Sequence, residues 1–196
     1  MSIARVPVWG WSIVSLVILA GVAWFVWRMW FDAYHLATVQ PGVLYRDGVR
    51  TMREFQTTVR MAKPRTVVCL VDDTEIVKSP FADEVAYCRE NNIELVRIPI
   101  TLGGWPDGDQ IRRFLSIATD ATKQPVLVHC AQGVRRTGMM VAAYQESVQG
   151  FDAARAKASM LTFGHSQRTV GDIERFIDVY DPVAKTMTQE LPRSTE

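Results

Sequence analysis

The residues whose types and spacing most directly suggest chemistry lie in Pro125–Gly138, PVLVHCAQGVRRTG. An apolar run ends at His129-Cys130, and Gly133 and the pair Arg135-Arg136 follow. If the run is a strand and a helix begins near Arg136, the loop between them is an anion site. The first N–H groups of a helix have no intrahelical partner, and its dipole is positive at that end. Amides of residues 131 to 136 can then converge on one dianion, with Gly133 supplying the backbone freedom that a concave turn needs. A thiol at such a centre loses its proton readily, with pKa values of about 3.5–7.5 in comparable settings. Cys130 is therefore expected to be a thiolate near neutral pH and to act as nucleophile. Arg136 has the planar fork that grips two phosphoryl oxygens. Thr137 is placed to donate a hydrogen bond to the sulfur, and His129 is expected to order the loop, because a thiolate needs no base to form. Ala131, Gln132, Gly133, Val134 and Arg135 complete the expected substrate-binding loop, although Arg135 could equally point to solvent.

Other chemistries fit less well. Gly133 to Gly138 has the gap of a nucleotide-binding glycine loop, but Met139-Met140 stand where Lys and Ser or Thr should follow. Cys69, Cys88 and Cys130 are odd in number and have no zinc-type spacing, so neither a disulfide framework nor a structural metal is expected. Cys69 and Cys88 are expected to pack in the core, with a protective disulfide to Cys130 on oxidation as the lesser reading. His165 is expected at a helix end or in the core. A formal net charge of +1 without a basic tail argues against a nucleic-acid partner.

The elements that must position this loop can be read from periodicity. VLYRDGV reads as a strand entering a turn, and MREFQTTVRMA is amphipathic. TVVCLV (66–71), IELVRIPI (93–100) and PVLVHC have strand character. Residues 82–92, IRRFLSIATDAT, TGMMVAAYQESV, 151–162 and 169–180 have helical spacing, and TLGGWPDGD (101–109) is a loop. Strands alternating with helices predict an α/β fold, with a central, mostly parallel sheet flanked by helices.

The run Val6–Trp27 contains no charged residue. As a helix it would reach about 33 Å, against a hydrocarbon core of about 30 Å. Trp9, Trp11, Trp24, Trp27 and Trp30 fall near its two ends, as aromatic belts do. One transmembrane helix is therefore expected to precede the domain, within an anchor over 6–31. A juxtamembrane linker over 32–42, a catalytic domain over 43–181 and a fraying tail over 182–196 follow. A cleaved signal peptide fits less well, since the apolar pattern continues past Ala23. Arg28, Arg46 and Arg50 after the span, against Arg5 before it, favour a single-pass membrane protein with its domain in the cytoplasm.

The arrangement H-C-x5-R-[ST]-G between an apolar strand and a helix resembles the signature of the cysteine-dependent protein tyrosine and dual-specificity phosphatases. PGVLYRDG is similar to the entry segment PGxLYRSGQ of the compact dual-specificity members, and IELVRIPI to the strand before their acid loop. The resemblance covers about residues 41 to 181 and implies the α/β phosphatase fold. It also implies attack of Cys130 on a phosphomonoester, a phosphocysteine intermediate and its hydrolysis, with no metal or cofactor. A rhodanese-like sulfurtransferase also uses a cysteine loop, but lacks the Arg-Thr-Gly exit.

One position departs from the pattern. Relatives commonly carry an aspartate as general acid in arrangements such as PIxDGGxPD, whereas this chain reads PITLGGWPD and places Leu102 there. Either Asp107 or Asp109 acts from a shifted position, or Asp72 or Asp73 reaches the site, or the substrate has a good leaving group. Asp107 is the preferred acid, with Asp109 as the cap of the following helix. Trp105 is expected to wall the pocket. The function expected is a membrane-anchored phosphatase acting on a phosphoprotein or phospholipid. The alternative is a pseudophosphatase that keeps the anion site as a phosphate-binding module. Gln132, where inositol-phosphate enzymes of similar design often carry a cation, argues mildly against a highly charged substrate.

Overall fold

The computed structural model describes residues 14–24 and 33–187, in two compact units divided between Asp32 and Ala33. In the first unit, residues 14–24 form a helix, α1, with exposed apolar side chains such as Leu16, Val17 and Leu19. Among the described residues no helix is long and apolar enough to cross a membrane. The expected anchor over 6–31 extends on both sides of α1 beyond the described residues.

The second unit carries the α/β fold. Its sheet has the order β1 (Ala37–Gln40), β2 (Leu44–Gly48), β5 (Val126–Cys130), β3 (Thr66–Cys69), β4 (Glu94–Arg97). All neighbours pair in parallel except β1 and β2, so the sheet is mixed, with one antiparallel edge. The central strand β5 is buried along its whole length, which suits its apolar run Val126–Val128 and leaves His129 to find a buried partner. The helices are α2 (Met52–Ala62), α3 (Phe81–Glu90), α4 (Gly108–Thr119), α5 (Arg135–Ser147), α6 (Ala153–Ala158) and α7 (Gln167–Val179). One cluster of buried residues packs α4, α5 and α7 against one face, around Phe114, Met139, Met140, Ile173 and Phe176. On the other face, Phe55 of α2 and Phe81 and Cys88 of α3 pack with Val67, Cys69 and Leu127.

Local chemistry sets the ends of the helices. Thr51 caps α2 reciprocally with Glu54, and Lys63 closes it in a left-handed conformation (φ 47°). Pro64 then cannot continue the helix. Two expectations need correction. The expected linker over 32–42 contains β1, which pairs antiparallel with β2, and the expected fraying tail over 182–196 contains β7 (Thr186–Met187), which pairs antiparallel with β6 (Tyr180–Asp181) just before it. Residues 188–196 lie outside the described residues.

Candidate active site

The loop after β5 folds back on the end of β2. Gly48 pairs with Cys130, and Gly133 has φ +69°. A Cβ at Gly133 would lie 2.3 Å from the Asp47 carbonyl oxygen, and one at Gly48 would lie 2.6 Å from the Gln132 carbonyl. Only glycine allows both approaches. Arg46, buried beneath the loop, donates from Nη2 to the Gly133 carbonyl at 2.7 Å. On the outer side, an imidazole nitrogen of His35 lies 2.8 Å from the Gln132 carbonyl oxygen. That ring is stacked between Tyr34 and Phe163.

These ties hold Cys130 at a pocket of about 270 Å³ lined by Cys130, Ala131, Gln132, Arg135, Arg136, Glu75, Leu102, Gly103 and Thr169. The Gly133 amide donates to the Cys130 sulfur at 3.2 Å. Burial pushes the thiol pKa up, but the Arg136 charge, the Thr137 hydroxyl and amide and the Gly133 amide outweigh it, and the net shift is downward from about 9.0. The Thr137 hydroxyl is buried without a partner in strict hydrogen-bond geometry, so it acts on the sulfur as a nearby dipole.

Arg136 is held by a carboxylate that sequence reasoning missed. Both Glu75 oxygens accept from its guanidinium, and its Nη1 also donates to the Ile100 carbonyl at 3.2 Å. This fork-to-fork pairing fixes the plane of the guanidinium at the pocket. Glu75 lies in DDTEIV, where nothing in the local pattern marks one acid among four polar residues. Its neighbour Asp72 caps the same turn, accepting from Thr74 and the Glu75 amide and, through Oδ2, from the Leu102 amide at 3.0 Å. Those hydrogen bonds, led by the Thr74 hydroxyl, lower the pKa of the exposed Asp72 to about 2.

His129 faces away from the pocket. Its Nε2 lies 2.8 Å from Glu84 Oε1, both side chains are fully buried, and burial, which lowers the imidazole pKa, is outweighed by Glu84 and Cys69. The result is a buried His129–Glu84 hydrogen-bonded pair under the loop, with the imidazole pKa raised, which positions the strand end. Ligand atoms of Cys69, Glu84 and His129 lie within 4.8 Å of one another, His129 and Glu84 joined by their direct bond and Cys69 beside the imidazole. Val134 is fully buried in the core, so it supports the loop from below.

Three expectations change here. Asp107, preferred as the acid, is the N-cap of α4: its Oδ1 accepts from the Gln110 amide at 2.8 Å, and its own amide donates to the Gln110 side chain at 2.9 Å. Asp109, expected as the cap, is one residue inside the helix and pairs with Arg112. The two jobs are reversed because Gln110 supplies the returning half of a capping box only to Asp107. Trp105 packs edge-on against Phe176 of α7 (5.7 Å between centroids) and is not among the residues lining the pocket. Among the described residues, the only carboxylate lining the pocket is Glu75, which Arg136 occupies. Leu102 lines it with a 70 % exposed side chain.

The mixed sheet thus brings together, beyond the carboxyl end of its central strand, a cysteine whose pKa is shifted downward and an arginine beside it, the arrangement that the resemblance to the cysteine-dependent phosphatases implies. Residues 45–176 match the family described as the DSP-PTPase phosphatase fused to NAD+ kinase, and the chain belongs to that family. It is 29% identical over 144 residues to inositol diphosphatase DSP1 of Oryza sativa, covering 66% of this chain and 62% of that protein. It is 26% identical over 117 residues to the dual specificity protein phosphatase TpbA of Pseudomonas aeruginosa, covering 60% and 49%. The fold is shared with the catalytic core of the PP-IP phosphatase Siw14 of S. cerevisiae, at 18% identity and a TM-score of 0.64 over 76% of this chain and 87% of that one. The chain spans only part of its curated relatives, down to 6% of the plant NAD kinases.

Proposed function

We propose that this chain is a phosphatase in which Cys130 attacks the phosphorus of a substrate. The sulfur forms the S–P bond as the bond to the leaving oxygen breaks, and water then cleaves the phosphocysteine to release phosphate and the thiolate. Arg136 and the amides of residues 131 to 136 hold the three non-bridging oxygens throughout. The observation that carries this reading is the buried Cys130 thiol, its pKa held below the usual value beside Arg136. The candidate substrates are a phosphoprotein or a phospholipid.

Leu102 favours a second, narrower reading. With the usual acid position occupied by a hydrocarbon and Glu75 bound to Arg136, no free carboxylic acid lines the pocket among the described residues to protonate the leaving oxygen. Substrates whose leaving group is stable as an anion, an aryl oxide or the phosphate released from a phosphoanhydride, then react best. The names of DSP1 and Siw14, a diphosphatase and a PP-IP phosphatase, are compatible with that chemistry. The charge-free run Val6–Trp27 and the helical α1 within it support a membrane anchor, with the catalytic unit on the cytoplasmic side.

The test is a series of aryl and alkyl phosphates together with a phosphoanhydride, assayed with the wild type and Cys130→Ser, with and without EDTA. The reading expects turnover that rises steeply as the leaving group improves, vanishes in Cys130→Ser and ignores EDTA. No turnover by pure wild-type protein would favour a phosphate-binding module, and full activity in Cys130→Ser would overturn the nucleophile.

A further inference from the structure

Arg135 stands beside Arg136 at the start of α5, yet its guanidinium is spent on three groups from two other elements. Nη1 donates to the Gly104 carbonyl and Nη2 to the Gly103 carbonyl, each at 2.7 Å, while Nε donates to Asp172 of α7. Asp172 is itself oriented by Arg175 through its other oxygen. The Arg135 and Asp172 side chains are only 20% and 18% exposed, so water and salt screen the pair weakly.

The two carbonyls belong to the loop whose Leu102 and Gly103 form a wall of the pocket. Little apolar packing secures that part of the loop, since Leu102 points largely into solvent. Its polar ties are a turn from the Gly104 amide to the Thr101 carbonyl at 2.8 Å, the Leu102 amide on Asp72, and the Arg135 fork.

We propose that Arg135 is a positioning residue: it latches the 101–104 stretch of the loop, ahead of the Trp105 already packed on Phe176, to α7 and so sets the height of the wall that faces the leaving group. The inference rests on the phosphatase reading of the same pocket. It assigns Arg135 no contact with the phosphoryl oxygens, which belong to Arg136 and the loop amides. A lysine at 135 cannot replace it, because one ammonium cannot reach two carbonyls and a carboxylate with a planar fork.

The test uses the full chain with Arg135→Ala, Arg135→Lys and Asp172→Asn. Hydrogen exchange of the Leu102 and Gly104 amides, both hydrogen-bonded in the latched loop, reads the latch without need of turnover, and it is expected to accelerate in all three variants. In assays, KM for a phosphotyrosyl peptide is expected to rise about tenfold in Arg135→Ala and less in Asp172→Asn, while inhibition by inorganic phosphate stays within about twofold. A phosphate inhibition constant that rises in step with KM would overturn the latch in favour of a direct substrate cation. Unchanged exchange in Arg135→Ala and Asp172→Asn would overturn it outright. A wild type without turnover would end the phosphatase reading, and the latch would still be decided by exchange.

Discussion

At the scale of single residues, the site depends on which charges are free and which are spent. Arg136 is fixed by Glu75, Arg135 by Asp172, and the Arg136 charge helps to lower the pKa of Cys130. Because the folded pKa of Cys130 is lowered, the thiolate persists at pH values where an ordinary thiol is protonated, and it is lost only as pH falls through that lowered value. Alkylation by iodoacetamide is therefore expected to follow a pH profile with its midpoint below about 9, the ordinary thiol value. In Arg136→Lys, where the fork with Glu75 is lost, the midpoint should move up; a wild-type midpoint at the free-thiol value would refute the electrostatic account. Asp107 caps α4 and, in the proposed reading, does no acid catalysis. Asp107→Asn keeps a competent cap and should change neither stability nor turnover appreciably, whereas Asp107→Ala should cost about 0.5–2 kcal/mol in denaturant unfolding. A selective loss of turnover on alkyl phosphates in Asp107→Asn, with aryl phosphates spared, would restore the acid assignment.

At the scale of elements, the loop after β5 is clamped between the end of β2 and the segment before β1. Arg46 holds the Gly133 carbonyl, and His35 lies against the Gln132 carbonyl within its aromatic stack. A chain beginning at residue 43 would lose β1 and that stack, and is expected to turn over more slowly and melt lower than one beginning at residue 33. His35→Ala in the longer chain should reproduce part of the kinetic loss; equal kinetics in all three would show that the segment is dispensable. The loop itself was legible in the sequence because β5, Gly133 and the start of α5 depend on local pattern. The helix α2 was legible to the residue, since its amphipathic run sits between a Thr51–Glu54 cap and Lys63-Pro64. What escaped depends on partners distant in sequence. The strand β1, ATVQ, alternates over only four residues, too short a run to stand out, and exists by pairing with β2. Glu75 meets Arg136 across 61 positions, and the fate of Arg135 depends on Asp172, 37 positions away. Asp107 and Asp109 are both plausible caps until the register of α4 is known.

At the scale of the whole molecule, a mixed sheet buried on both faces brings β5 to its centre and places three loops at one end of it. These are the 130–136 loop with the nucleophile, the 72–78 turn with Glu75, and the 101–106 loop with Leu102. The parallel pairing of β5 with β2 and β3 makes this convergence unavoidable, since the strands share a direction and end together. In the proposed reading this arrangement gives a phosphoryl group one nucleophile, one fixed guanidinium and a ring of amides, and among the described residues no free carboxylic acid lines the pocket for the leaving group. The central claim is that Cys130 carries the phosphoryl group during turnover. Its most direct test is rapid acid quenching of the full chain with an aryl phosphate, followed by mass spectrometry of the peptide containing residue 130. The account predicts a transient gain of one phosphoryl mass on Cys130 that is absent in Cys130→Ser; hydrolysis that proceeds without any such adduct, and survives in Cys130→Ser, would contradict it.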